Sequence, residues 1–397
     1  MKAVLRNNFR YHIYDGVLYI CGICFIAYET VLPKMIESLD GTAWMISFAP
    51  MLTLIGSTFP SVIAAGYVDR LPRKKHYIIV SGIIQRLPFF LTALLLWTMN
   101  APHFLVWCIM TAVFINGIFS GVLSPAWFQF VANTVPARYV PRLFAIRYGL
   151  GSAIGIFIGL LVKVILEYWP EKNGFGVLFL AAGMATMASL LAVAKVQEPE
   201  RRTKTTEAPG SYREVWRQSA IMKFIVVRAF YCGVYIGLAF IPIRICAVLQ
   251  LPNSWLGIFT LTVVCGAIAG NIFTSIWTHR WSWRTCQIIS LAGYGVMFLL
   301  CLGCYHLVTA LVIFFLLGFS RDVWNSVSAA YMLNLPGPRL RAKGTAFIAL
   351  TMMPPLLVAG VAGGKLMSWF NSYSLVFIVA ALTMIPAIHY SRQLPER

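Results

Sequence analysis

Three acidic side chains lie inside apolar stretches long enough to cross a membrane: Asp15, Glu29 and Asp322. A carboxylate stripped of water is costly to keep charged, so a residue of this kind suits proton carriage or pairing with a cation. Asp15 and Glu29 are nearly four helical turns apart. On one continuous helix they would share a face, about 21 Å from each other, with Tyr19, Gly22 and Ile26 between them. Such a stripe could relay protons; alternatively, Asp15 pairs with an Arg near the cytoplasmic edge. Asp322 is the deepest acid, in Ser320-Arg321-Asp322-Val323-Trp324-Asn325-Ser326. It is the first candidate for proton coupling, with Asp15 or Glu29 as relay, and the alternative is an interhelical salt bridge that locks the bundle. Neighbours on a helix point about 100° apart, so Arg321 and Asp322 need not touch each other.

The basic side chains in these stretches divide by position. Arg147, Arg228 and Arg244 stand close enough to segment ends to snorkel toward water. Arg86 stands near the middle of its segment and is expected to anchor a neighbouring helix. Arg321 is the expected cation for an anionic or polar ligand, with Trp324 to stack on a ring and Asn325 and Asn116 to hydrogen-bond. Asn116, Ser120 and Trp127 share one helical face, and Arg228, Tyr231 and Tyr235 share another. Stripes of this type either pack or bind, and Ser120, Tyr231 and Tyr235 join the substrate-binding candidates on the second reading.

Cys21-Gly22-Ile23-Cys24 and Cys301-Leu302-Gly303-Cys304 have the spacing of metal or redox sites, but neither has a His or an acid beside it in sequence. Small polarizable side chains in an apolar helix read as packing. No metal site and no cofactor are expected. The chain also lacks a Gly-rich phosphate loop, a Ser-His-Asp order and a zinc-hydrolase pattern, so it is not expected to be an enzyme.

The elements that must position these residues are membrane helices. Of the 397 residues, 59% are hydrophobic and only 11% charged, and mean hydropathy is +0.76. A water-soluble domain could not cover its surface with so few charges, so lipid is the solvent. Twelve apolar segments follow, at approximately 11–32, 43–67, 76–98, 102–125, 143–168, 175–196, 221–248, 254–277, 284–305, 307–332, 345–368 and 373–390. Connections are short except residues 197–219, which divide the chain into six-helix bundles at 1–196 and 220–397. The net charge of +19 falls on alternate loops, among them Arg70, Arg73, Lys74 and Lys75, then Arg138 and Arg142, then the linker. That alternation places the linker and both termini in the cytoplasm of a cell whose plasma (inner) membrane holds the protein, and it removes nucleic acid as an explanation of the charge. The first segment is too long, and too charged at Asp15 and Glu29, for a removable signal.

Twelve segments, a central linker and a basic loop after the second segment resemble the major facilitator superfamily of secondary transporters, over essentially the full length. That superfamily has a loop pattern Gly-x-x-x-Asp-Arg-x-Gly-Arg-Lys. Here Asp69, Arg70, Arg73 and Lys74 match it, while Ala65 and Pro72 replace the glycines. The resemblance implies an all-α membrane protein of two pseudo-symmetric six-helix bundles, with Asp69, Arg70, Arg73 and Lys74 as a cytoplasmic gate. It also implies alternating access around a midplane site for a small polar or anionic solute, with coupling to an ion, here the proton, and a monomer as the working unit. An exporter of hydrophobic compounds and a non-transporting membrane sensor or assembly protein are the alternatives. A weak internal repeat agrees with two halves: Asn133-Thr134-Val135-Pro136 and Asn334-Leu335-Pro336 are half a chain apart, as are Gly117 and Gly318. The antiporter signature of the fifth segment is missing: Gly149, Gly151, Gly155 and Gly159 are followed by Leu160, with no proline, and read as packing positions. Met353-Pro354-Pro355 marks an expected helix break in the eleventh segment.

Overall fold

A computed structural model of the chain describes residues 2–169, 171–199, 212–278 and 280–396. Most of the linker expected at 197–219, namely 200–211, lies outside the described residues. The described residues form helices and no strands. Eleven helices among them are long and apolar enough to cross a membrane: Ala43–Val68, Lys75–Thr98, Pro102–Thr134, Arg142–Tyr168, Glu171–Lys195, Ser219–Val248, Trp255–Trp277, Trp283–Leu302, Leu307–Asn334, Lys343–Phe370 and Tyr373–Ser391. They are spans two to twelve below. Span four, at 33 residues, extends about 50 Å at 1.5 Å per residue and so overreaches a hydrocarbon layer of roughly 30 Å.

Span one departs from expectation. It is two helices, Lys2–Phe25 and Val31–Ser38, with a turn between them. Lys2–Phe25 carries Lys2, Arg6, Arg10 and Asp15 and falls short of the other spans in apolar length. The reason for the break is Pro33. Its ring has no N–H for the Glu29 carbonyl four residues back and crowds that carbonyl, so the helix restarts beyond it. Glu29 therefore lies in the turn, and the continuous face expected from Asp15 to Glu29 does not exist. Gly22, expected on that face, is buried against Thr186 of span six.

The same chemistry breaks two more spans. Span seven is interrupted at Cys232–Gly233 and again at Leu238–Ala239, the second break starting four residues before Pro242, and span eleven at Thr351–Met352, just ahead of Pro354 and Pro355. The break expected at Met353-Pro354-Pro355 is thus present. Pro60, Pro88, Pro125 and Pro386 lie inside helices that stay continuous.

The chain separates into two compact units. Unit 1 is Met1–Gly41, Leu52–Thr205 and Leu256–Ile258; unit 2 is Thr42–Met51, Thr206–Trp255 and Phe259–Arg397. In unit 1 the helix Lys2–Phe25 packs on spans five and six, span three packs on four and six, and span two packs on four. In unit 2 span nine packs on ten and twelve, span seven packs on twelve, and Ala43–Phe48 packs on span eleven. Lipid offers no hydrophobic contrast between helices, so their association depends on close van der Waals fit and small residues. A Cβ on Gly117 would stand 2.8 Å from the Thr53 backbone, and one on Gly318 would collide with the Val263 carbonyl. These two glycines let spans two and four, and spans eight and ten, meet backbone to backbone.

Candidate functional site

Unit 1 has a partly open cavity of about 320 Å³, lined by residues of Lys2–Phe25 and spans three to six. Asp15, Arg86 and Arg147 all reach it, together with Tyr19, Ser120, Ser124, Trp127 and Tyr148. A volume of this size holds a small organic molecule.

The charges in its wall are held by short-range bonds. Arg147 Nη1 stands 3.0 Å from Asp15 Oδ2, and both side chains are at most 10% exposed. The same guanidinium donates to the His12 carbonyl (3.2 Å) and lies over the Trp127 ring, 4.4 Å from its centroid. Trp127 Nε1 donates to Asp15 Oδ2 at 3.3 Å. Asp15, Arg147 and Trp127 thus form a closed triad, each touching the other two. Arg147 was expected to snorkel; instead it is turned inward, where Asp15 offers it a buried carboxylate.

Arg86 is held quite differently. Its Nε donates to the Thr186 carbonyl (2.7 Å), Nη1 to the Gly82 carbonyl (2.8 Å) and to Gln85 Oε1 (2.9 Å), and Nη2 to Ser189 Oγ (3.2 Å). These partners are all neutral. Arg86 anchors span six, as expected, but it also lines the cavity. One carboxylate faces two guanidiniums, so the wall carries one positive charge in excess. Gln85 extends the network, donating to the Asn116 carbonyl (3.2 Å) and to Tyr19 Oη (3.4 Å).

Asn116 and Ser120 share a helical face with Trp127, as the spacing required. Ser120 lines the cavity, whereas Asn116 is buried behind it, with its Oδ1 accepting from Tyr28 Oη at 3.3 Å. His12, overlooked in the sequence, is fully buried, with Nε2 2.7 Å from Thr134 Oγ1.

The candidates of unit 2 stand in a more open setting. Asp322 accepts from Asn271 Nδ2 (3.2 Å) and from Arg321 Nε (3.1 Å), and Arg321 Nη2 is 3.0 Å from Asp322 Oδ2. The two neighbours touch after all. Long side chains curl across the 100° between their Cα–Cβ bonds, and the pair is 30% and 23% exposed. Arg321 therefore already holds a carboxylate. Trp324 and Tyr231 are buried and stacked face to face, with centroids 3.9 Å apart, and Tyr231 Oη is 3.4 Å from Tyr294 Oη. Each covers the other's ring. Tyr235 meets Tyr231 edge-on, and Asn325 is exposed, away from Trp324.

In the basic loop, Asp69 Oδ1 accepts from Gln129 Nε2 of span four, and Arg70 and Arg73 are exposed. Lys74 departs from its expected place as a gate cation. It is fully buried, and its ammonium donates to the Leu71 carbonyl. The backbone N–H groups of Lys74 and Lys75 both donate to Glu198 Oε2, at 2.9 and 2.8 Å, so an acid from just beyond span six caps span three. In unit 2 Glu396, just beyond span twelve, pairs with Arg284 at the start of span nine. Reasoning from spacing missed both acids. The signal available was that each ends its half, some two hundred residues from the other.

A sequence profile described as Major Facilitator Superfamily matches residues 17–353. No curated protein matches the chain at the sequence level. Several solved structures share its fold. A point mutant of the nucleoside transporter NupG superposes with a TM-score of 0.76 at 12% identity, covering 97% of this chain and 99% of that one. A D-xylose-proton symporter does so with 0.72 at 17% identity, covering 98% of each chain. A bacterial homologue of the iron transporter ferroportin, in its inward-facing state, gives 0.72 at 13%, again covering 98% of each.

Proposed function

The chain belongs to the major facilitator superfamily, and from that premise we propose that it moves a small organic solute bearing an anionic group, in exchange for or together with protons. It is a multi-pass membrane transporter and not an enzyme. The observation that carries the reading is the Asp15–Arg147 pair in the wall of a cavity whose second guanidinium, Arg86, has only neutral partners.

The chemistry follows from competition for one cation. Ionised Asp15 occupies Arg147. A proton on Asp15 removes the charge that holds the guanidinium, and Arg147 is then free to receive a carboxylate or similar group from the solute. By linkage, solute on Arg147 favours the protonated form of Asp15 in the same measure. Trp127 keeps Arg147 in place through both states, since the cation–ring contact does not depend on the proton. Ser120, Ser124 and Tyr19 supply neutral hydrogen-bonding groups for the rest of the solute. Asp322, held by Arg321 and Asn271, is the second coupling candidate, and Glu29 the third. Alternating access of the bundles 1–196 and 220–397 would carry the site from one side to the other. Asp69, Arg70 and Arg73 would serve the cytoplasmic gate, and the working unit would be a monomer. The alternation of Lys and Arg supports an inner-membrane orientation with both termini cytoplasmic.

Reconstitution into liposomes under an inward proton gradient tests this. Lumenal pH is followed as organic anions, sugars, nucleosides and amino acids are added in turn. The expected result is acid influx with an organic anion, abolished in Asp15→Asn and reduced in Arg147→Gln. Influx that persists in Asp15→Asn but disappears in Asp322→Asn would transfer the coupling role to span ten. A solute flux with no pH change in wild type would remove the proton from the cycle.

A further inference from the structure

Unit 2 contains a cation with no carboxylate partner among the described residues. Arg228, on the helix Ser219–Tyr231, is 8% exposed. Its Nη1 donates to Ser328 Oγ (3.2 Å) and to Met332 Sδ (2.7 Å), its Nη2 donates to Met352 Sδ, and its Nε has no partner among the described residues. The Phe224 ring lies 5.6 Å from Cζ. A thioether sulfur is among the weakest acceptors a side chain can offer. Arg147 and Arg321 each hold a carboxylate, and Arg86 has four full acceptors. Arg228 has one hydroxyl and two sulfurs.

A buried guanidinium held so poorly is a destabilising element unless something else satisfies it. We propose that Arg228 is an anion-binding site, where the oxyanion of a carboxylate or phosphate bonds the guanidinium fork and displaces Met352. The fork suits a planar oxyanion with two parallel hydrogen bonds, far stronger than those to sulfur. Methionine suits the part of a displaceable plug, being unbranched and free to change rotamer. Met352 is also the residue at the break of span eleven, between the helices Gly337–Leu350 and Met353–Phe370. Binding at Arg228 therefore releases the side chain that ties span seven to that break. The site goes beyond the cavity of unit 1 and stands or falls separately from it.

The test uses the full chain in detergent. Melting temperature is measured against sodium benzoate and against sodium phosphate, with sodium chloride at matched ionic strength as control. One or both oxyanions should raise the melting temperature above the chloride control, and the better of the two names the group. The component of that shift removed by Arg228→Gln should survive in Arg147→Gln, which separates this site from the cavity. Arg228→Gln without anion should melt no lower than wild type, because it removes a charge that one hydroxyl and two sulfurs satisfy poorly. Met352→Leu deletes the competing sulfur and should lower the half-maximal anion concentration about fivefold, the worth of one modest hydrogen bond; this arm decides if Arg228→Gln does not fold. A shift unchanged in Arg228→Gln, an unchanged midpoint in Met352→Leu, or equal response to chloride and both oxyanions would each overturn the proposal.

Discussion

Gln85 on span three and Gln287 on span nine stand some two hundred residues apart, and their surroundings differ completely. Gln85 accepts from Arg86 and donates to the Asn116 carbonyl and Tyr19 Oη. Gln287 is fully buried, and neither its Nε2 nor its Oε1 has a partner among the described residues. The acids diverge likewise. Asp15 pairs with Arg147 in a buried cavity wall, whereas Asp322 pairs with its own neighbour in a more open setting. The packing positions diverge less: Gly117 and Gly318 each let two spans meet backbone to backbone, and Glu198 and Glu396 each hold the start of a span, three and nine respectively. Helix contact is a constraint on shape, and both halves must satisfy it. Polar placement is a constraint on chemistry, and each unit is free to meet it differently.

Substitutions made in parallel test that contrast. Arg147→Gln leaves Asp15 buried without its cation and should cost about 3–5 kcal/mol, whereas Arg321→Gln, at the more open pair, should cost about 1 kcal/mol or less. Thermal unfolding of the two variants side by side would erase the contrast if they fell equally. Gly117→Leu and Gly318→Leu should each lose about 3 kcal/mol through overpacking. Here the expectation is equality, and a large difference in detergent melting temperature would mean that the shared packing is only apparent. Gln85→Leu should cost about 2 kcal/mol by stranding the groups it serves, while Gln287→Leu should be neutral or stabilising, since it removes two polar groups with no protein partner. Denaturation midpoints of that pair give the sign directly. Glu198→Gln should cost about 1 kcal/mol, read as faster hydrogen exchange at the Lys74 and Lys75 amides.

Much of the architecture was legible because it depends on composition along the chain. Apolar runs of about 20 residues must be helices in lipid, since backbone groups there can bond only within the segment. The break at Met353-Pro354-Pro355 was readable from proline chemistry. Pro33 and Pro242 carried the same signal at Glu29 and Leu238, and the apolar run concealed it. The cavity was half legible: Asp15 and Ser120 stood out, and Asn116 and Trp127 shared a face as spaced. Arg147 was misread because its depth was judged from the nearest segment end, while its partner lies on another helix. Lys74 was misread because a motif gives residue types and not the direction in which a side chain turns.

By itself, the sequence determined that the protein is a bundle of membrane helices, with a basic loop of a transporter family after the second span. It also named the few charges that lipid would make costly. Which of those charges meet was decided only in the tertiary structure. Asp15 and Arg147 are 132 residues apart, on different helices, and Arg228 reaches Met352 across 124. Hydropathy is a sum along one segment, readable from that segment alone. A buried pair depends on the rotation and depth of two helices at once, and those are set by how every side chain between them packs.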